Sequence, residues 1–405
     1  MSLDSVSITE IIILFILFST VLPVLVQALR NVSVYKKCRK LTEQEVSDIN
    51  NRGKLVSIVI PARNEEHNIR KVVDSALKSD DTNIEILIGN DHSSDATGSI
   101  ADTLASEDNR IKHIQVPELP SGWGGKMHTC WATAQQAKGD WLMFIDADVT
   151  ISPSAVSRML AEAEKRDIPF LSGFPYQVTG TIGEKTLIPM IFFILLSFLS
   201  IRRMRKSVKP AYAASCGQIM LIESETYNNT GGHKTIKHSC HDGLDMPRMF
   251  RRNKLKTDLA DLSDIIVCRM YHSTWDTCVG LEKNAKYGLG SPRLIFVFTF
   301  MLIVGQVLPW LFAAWLSIVY FTDTQPFWER IFIPEWRLQL QVLAFILLGL
   351  SGFLIRWIHC KLHGCSGIGA LLHPVGVLWL MGIQWVALIR SILGKKSTWK
   401  GRKVQ

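Results

Sequence analysis

The chain lacks what a disulfide framework, a zinc module or a nucleic-acid reader would need. Its eight cysteines are scattered without a Cys-x-x-Cys pair, which in a cytoplasmic domain argues for reduced thiols. His359, Cys360, His363 and Cys365 cluster in a short loop between apolar segments. That cluster has no matching second half, so it reads as structural or incidental rather than as a zinc site. No aromatic-basic RNA motif or zinc-finger spacing accompanies the formal net charge of +9, which argues against nucleic acid as the partner. The basic residues sit beside apolar segments instead, in RNVSVYKKCRK (30–40), RRMRK (202–206) and KKSTWKGRK (395–403). Such placement suits anionic lipid headgroups and cytoplasmic flanks.

Four apolar stretches account for that placement. Ile8 to Leu29 is long enough to cross a bilayer and is followed at once by positive charge. It reads as an N-terminal anchor with the next domain in the cytoplasm, since a signal peptide would carry its charge in front. Leu294 to Phe321, Leu338 to Ile358 and Ile368 to Leu393 are the other three. As three full spans they would put the basic tail outside, against the positive-inside bias, so one of them is open to a re-entrant or interfacial reading. Leu187 to Ile201 is short for a span and ends in RRMRK, which suits an in-plane interfacial helix. The expected organisation is an anchor at 1–30, a basic linker at 31–53, a catalytic domain at 54–260 with the interfacial helix near 187–206, an acceptor-side segment at 261–292, a membrane region at 293–394 and a basic tail at 395–405.

Residues 54–175 alternate short apolar runs with helix-period segments. Strands are predicted at Leu55–Ile60, Ile84–Ile88, Ile111–Val116, Trp141–Ile145 and Pro169–Phe174, and helices at Glu65–Lys78, Ser94–Ala105, Lys126–Ala137 and Pro153–Glu164. A series of this kind gives an α/β, doubly wound, mostly parallel sheet whose ligand crevice lies at the carboxyl ends of the strands.

The unusual residues fall at those ends. PARNEEHNI follows the first strand, NDHSSD the second and DAD the fourth. An Asp-x-Asp pair occurs about once by chance in a chain of this length. Here, however, Asp146 and Asp148 emerge from the edge of a buried strand, a suitable place for a divalent ion and a diphosphate. Asp91 is suited to accept the imide N–H of a uracil, and Lys126 in GWGGK to reach a diphosphate oxygen. Local readings stand beside these. Asp91, Ser93 or Asp95 can cap the following helix, Gly122, Gly124 and Gly125 can mark a turn, and Lys126 can be a solvated helix residue.

SIVIPARNEE, IGNDHSSDATG and PSGWGGKMHTCWATAQQAKGDWLMFIDADV resemble the membrane-associated family 2 glycosyltransferases, a group that includes bacterial enzymes acting on hopanoid, carotenoid or other lipid acceptors. CGQIMLIESETYNNTGGH, HDGLDMPRMFRR, RMYHSTWDTCVGLEKNA and the terminal TWKGRK continue the likeness. It implies a GT-A-like fold and a bacterial cytoplasmic membrane. Pro61, Ala62, Arg63 and Glu65 would border the nucleotide, Asp91 would contact its base, Asp148 with Asp146 would bind a metal-diphosphate, and Asp242 in HDG would be the base. Two positions depart from the family's pattern: Asn90 stands where many members have aspartate, and His241 where glutamate often precedes the base. Asp245 is a nearby rival for the base role, and HDG read alone also suits a helix cap. Arg248, Arg251 and Arg252 suit a donor or headgroup contact or a solvated face. Tyr271 to Thr274 before Trp275 do not match the Gln/Arg-x-x-Arg-Trp motif of processive synthases.

Such residues fit sugar transfer from a nucleotide-diphospho-sugar, with UDP favoured because Asp91 suits a uracil imide. A divalent ion, Mg2+ or Mn2+, would offset charge on the departing diphosphate, and Asp242 would take the acceptor's proton. One metal pole and one base imply single displacement with inversion. The membrane segments imply a lipid alcohol or polyprenyl phosphate as acceptor. Other readings are a polysaccharide or lipid-linked oligosaccharide synthase, a nucleotidyltransferase, and a non-catalytic nucleotide-sugar sensor or scaffold, which would need no base opposite the metal.

Overall fold

The computed structural model describes residues 8–80, 83–285, 291–322, 335–394, 398–399 and 402–403. The chain divides into two compact units, a helical one (Met1–Val32, Thr179–Leu199, Tyr271–Gly394) and an α/β one (Ser33–Val178, Ser200–Met270, Lys395–Gln405).

The α/β unit is built on a seven-stranded sheet. Its strands are β1 (Val56–Ala62), β2 (Ile84–Asn90), β3 (Ile111–Gln115), β4 (Trp141–Ile145), β6 (Phe170–Phe174), β8 (Ile219–Glu223) and β9 (Asp258–Asp261), in the order β3-β2-β1-β4-β8-β6-β9. β3, β2, β1 and β4 pair in parallel. Side chains alternate across a strand, so an interior parallel strand buried on both faces is apolar along most of its length. In β1, Val56, Ile58, Ile60 and Ala62 enter one core while Val59 enters the opposite one. In β4, Trp141, Met143 and Ile145 go to the first core, and Leu142 and Phe144 to the second. Burying one such large side chain is worth about 1.5–3 kcal/mol. The helix Ile69–Leu77 closes the first face with Ile69, Val72, Val73 and Ala76, at the 3–4 residue spacing of a helical stripe.

Two features differ from the expected sequential parallel series. β8 inserts between β4 and β6 and runs antiparallel to both, although parallel pairing still predominates. A second, three-stranded sheet forms from β5 (Val149–Ile151), β10 (Ile266–Cys268) and β7 (Tyr176–Gln177), in the order β5-β10-β7. It starts directly behind Asp148.

Among the described residues, four helices are long and apolar enough to cross a membrane: Ile12–Val34, Leu294–Val319, Gln339–His363 and His373–Ile392. Val24, Ala28, Leu302, Ile355, Val377 and Leu380 meet in the core of the helical unit. The outward face is apolar as well, with Phe15 70%, Phe296 62% and Ile392 76% exposed. A helix apolar on all sides is characteristic of a membrane span. The stretch expected as one interfacial helix near 187–206 is three short helices, Ile182–Leu187, Met190–Phe198 and Ile201–Lys206. Pro189 caps the second, and Leu199 turns to an extended conformation before Ser200 caps the third. Of the expected basic tail, only Thr398–Trp399 paired with Arg402–Lys403 is described; its remaining residues, the first seven of the expected anchor, and 286–290 of the expected acceptor-side segment lie outside the described residues.

Candidate active site

Parallel pairing of β1 with β2 runs on to Ala62 and Asn90, beyond the expected strand ends, so the loops after both strands start level with one another. Asp91 follows immediately. Its backbone N–H donates to Ala62 O at 2.9 Å, and its own carbonyl accepts from Arg63 Nη1 at 2.6 Å. The Arg63 guanidinium also lies 3.7 Å from the Asp91 carboxylate. Pro61, Ala62, Arg63 and Asp91 are therefore brought together. Glu65 is held on the same loop, its N–H donating to Thr97 Oγ1 at 2.7 Å and its carboxylate accepting from Asn68 Nδ2 at 2.9 Å. Asp95 takes the local role. Its carboxylate accepts from the N–H groups of Thr97 at 3.0 Å and Glu66 at 3.2 Å, tying two helix starts together.

The centre of the site is Lys126. Its ammonium lies 2.7 Å from Asp146 Oδ1 and 2.9 Å from Asp242 Oδ2, and donates to Gly217 O at 3.0 Å. One of its donors is thus hydrogen-bonded, and the two carboxylates stand within ion-pair distance. Lys126, expected to reach a diphosphate oxygen or to be solvated, here lies between the aspartate at the end of β4 and the aspartate that opens the helix Asp242–Arg252. Burial opposes its charge, but Asp146 and Asp242 raise its pKa well above the ordinary lysine value. Reciprocally, burial works against the Asp242 carboxylate, yet Lys126 holds its pKa below the usual range. Asp242 is thus ionised at neutral pH although only 6% exposed.

Close packing enforces the contact. A Cβ at Gly217 would stand 2.1 Å from Asp242 Oδ1, so only glycine lets that carboxylate approach the chain. Asp242 Oδ1 also accepts from the Gly243 N–H at 2.8 Å. Gly122 is a turn glycine with φ +79°, and the following Gly124 N–H donates to Lys237 O at 2.7 Å. The GWGG loop is thereby pinned against the segment leading to Asp242.

Asp148 has a different environment. Burial, followed by the neighbouring Asp146 and Glu65 carboxylates, pushes its pKa up to about 7. Its Oδ1 is buried without a hydrogen-bond donor. Asp146, by contrast, is also tied through its backbone, its N–H donating to Gln218 O at 3.1 Å. Gln218 in turn joins β7 and β10, accepting from Gln177 Nε2 at 2.8 Å and donating to Cys268 Sγ at 3.0 Å. Crowded carboxylates with an orphaned buried oxygen suit a divalent cation. Asp146 and Asp148 are the residues that would hold it. Among the described residues no group of three His, Cys, Asp or Glu side chains is arranged for a metal, so further oxygen ligands would come from a diphosphate and water.

Asp245 lies one helical turn from Asp242 but is engaged elsewhere, accepting from Ser239 Oγ at 2.7 Å and lying 3.5 Å from Arg248. Arg251 departs from both readings offered for the arginine run, whereas Arg252 is exposed as the solvated-face reading has it. Arg251 is 1% exposed and donates to Thr257 Oγ1, Thr257 O, Met204 O and Ser207 O, so it anchors the Asp242 helix internally. Gly217, Gln218 and Cys268 were not singled out from the sequence; the first two lie in the CGQ that opens CGQIMLIESETYNNTGGH, and Cys268 directly precedes RMYHSTWDTC.

The sequence model of Glycosyl transferase family 2 matches residues 57–271. The chain is 24% identical over 276 residues to a 4,4'-diaponeurosporenoate glycosyltransferase of Staphylococcus aureus (strain MRSA252), covering 67% of this chain and 69% of that one. For a protein of the same name from Staphylococcus haemolyticus (strain JCSC1435), the identity is 25% over 243 residues, covering 59% and 63%. Among solved structures, a mannosyltransferase of Pyrobaculum calidifontis in complex with GDP-Man and Mn2+ aligns with a TM-score of 0.47 and 13% identity, over 84% of this chain and 98% of that one. With the family model spanning more than half of its length, this chain belongs to the family 2 glycosyltransferases.

Proposed function

We propose that this glycosyltransferase is membrane-bound and moves a sugar from a nucleotide-diphospho-sugar, with UDP as the favoured nucleotide, to a lipid acceptor with inversion. The observation that carries the reading is the Lys126 bridge. It sets Asp242, ionised, beside the Asp146 and Asp148 pair. Asp91 with Arg63 is assigned to the base end of the donor. A divalent ion, Mg2+ or Mn2+, held by Asp146 and Asp148, would supply positive charge to the departing diphosphate. Asp242 accepts the acceptor's hydroxyl proton as oxygen attacks the anomeric carbon, while Lys126 keeps that carboxylate in place and charged. A single base and a single displacement give inversion. Asp242 is preferred to Asp245 as base because Asp245 is committed to Ser239 and Arg248.

A lipid acceptor is supported by the four apolar helices and by relatives whose name specifies a carotenoid carboxylate. Placement of the catalytic unit in the cytoplasm follows the positive charge after the first helix. The test uses washed membranes containing the protein, a panel of labelled nucleotide sugars and Mn2+, with label counted in the organic extract. Label from one donor is expected, and it is expected to be lost with chelator and in Asp242→Asn and Asp148→Ala. Folded, donor-binding protein that labels no lipid with any donor would overturn the acceptor; product keeping the donor's anomeric configuration would overturn inversion.

A further inference from the structure

A second concentration of polar side chains lies within the helical unit, on one face of the helix Glu335–His363. Arg356, His359 and His363 recur there at intervals of three and four residues, so they share one side of it. All three are 1–2% exposed. The Arg356 Nη2 donates to Thr186 O at 3.1 Å and Gly369 O at 3.0 Å. Its Nε and Nη1 are buried with no acceptor. One turn on, His359 has neither ring nitrogen bonded. His363 stacks on Phe192, with ring centroids 4.7 Å apart.

A guanidinium stays charged at any physiological pH and cannot escape burial by losing its proton. Among the described residues no carboxylate pairs with Arg356. Two neutral carbonyls satisfy part of its donor set but none of its charge. Buried polar groups are ordinarily satisfied, and ionisable ones at membrane depth are paired or mark a ligand path. The complement of an uncompensated guanidinium with an adjacent imidazole is an oxyanion, which accepts charge-assisted hydrogen bonds from both.

We propose that Arg356 and His359 form an oxyanion site inside the helical unit, and that its occupant is the carboxylate or phosphate head of a membrane-borne amphiphile. The choice of an amphiphile rests on the membrane reading above, since the unit's outer surface is apolar. The oxyanion itself rests only on the side chains. This site is chemically unlike the α/β unit's centre, where the buried cation already has two carboxylates.

The test is equilibrium binding of radiolabelled dodecyl phosphate to the detergent-purified full-length protein, with no sugar donor present. Failure of glycosyl transfer and failure of this site are therefore read separately. Saturable binding is expected, displaced by palmitate and not by dodecanol. Arg356→Met should weaken it at least ~10-fold, the loss of a charged hydrogen-bond partner. His359→Leu should weaken it ~3-fold or more through one neutral partner. Both variants are first checked for wild-type elution and melting midpoint, and if Arg356→Met does not fold, His359→Leu decides. Displacement by inorganic phosphate as strong as by dodecyl phosphate would support the oxyanion site and overturn the amphiphile as its source. Equal displacement by dodecanol, or wild-type affinity in a folded variant, would overturn the site.

Discussion

Lys126 in the α/β unit and Arg356 in the helical unit are two enclosed cations treated in opposite ways. In the α/β unit Lys126 is met by Asp146, Asp242 and a carbonyl. In the helical unit Arg356 is met by two carbonyls alone. A lysine between two carboxylates is a fixed part of a charge network, and removing it leaves anions behind. An arginine without a carboxylate leaves nothing charged behind when it goes. On the roles proposed above, the contrast separates an internally balanced site, where charge positions a base, from one whose balance would come from outside the chain.

The largest expected effect breaks the balanced site at its base. Asp242→Asn keeps the shape but removes the proton acceptor, and should lower kcat by about 10²–10⁴-fold, read as label transferred to lipid with the melting midpoint nearly unchanged. The effect depends on the acceptor. A hydroxyl needs the base, whereas a carboxylate, such as the one in the relatives' name, arrives ionised and would make the substitution nearly silent. Measuring both acceptor classes therefore sharpens what Asp242 is for.

Lys126→Met should act on stability. Removing one partner of a buried pair costs about 3–5 kcal/mol, but Lys126 retains 36% side-chain exposure, so solvent screening reduces the expectation to about 2 kcal/mol. With the ammonium gone, Asp146, Asp148 and Asp242 are left to repel one another. Mn2+ should then raise the melting midpoint more in the variant than in the parent, and an equal shift in both would mean that the carboxylates are not electrostatically linked.

Gly217→Ala comes next. The added methyl would meet Asp242 Oδ1 at 2.1 Å, and overpacking of this kind costs about 1–3 kcal/mol. Activity should fall further than the stability loss accounts for, because the displaced group is the proposed base. A variant with parental kcat and lowered stability would show that Asp242 can shift without consequence.

Local pattern made part of this legible and non-local pairing hid the rest. Trp141–Ile145 could be read to the residue, because a five-residue apolar run bounded by Gly139-Asp140 and Asp146 leaves no other register. β1 and β2 each run two residues past the apolar pattern, since their mutual hydrogen bonds continue through Pro61, Ala62, Gly89 and Asn90. The insertion of β8 between β4 and β6 depends on pairing across distant segments, and nothing in IMLIE specifies its neighbours. The same holds for the site. Asp146 could be chosen from its place at a strand end and Asp242 from the family resemblance, but their meeting at Lys126 requires Gly217, 91 residues away from that lysine, to leave room. Arg251 misled because a charge on an amphipathic helix ordinarily faces water; here four backbone and hydroxyl oxygens close around it.

The smallest expected effect belongs to the other side of the comparison. Arg356→Met removes a buried charge that no described carboxylate balances, which favours the variant. It also strips donors from Thr186 O and Gly369 O, which disfavours it. Replacing buried charge by apolar volume is often neutral or stabilising when no partner charge is stranded, so in delipidated protein the melting midpoint should correspond to a change within about 1 kcal/mol. Saturating dodecyl phosphate should separate the two proteins, stabilising the parent and leaving the variant where it was. A large loss of stability in the delipidated variant would mean instead that Arg356 serves as a carbonyl clamp between the Ile182–Leu187 and Gly367–Leu371 helices, and the two buried cations would then differ in partners but not in kind.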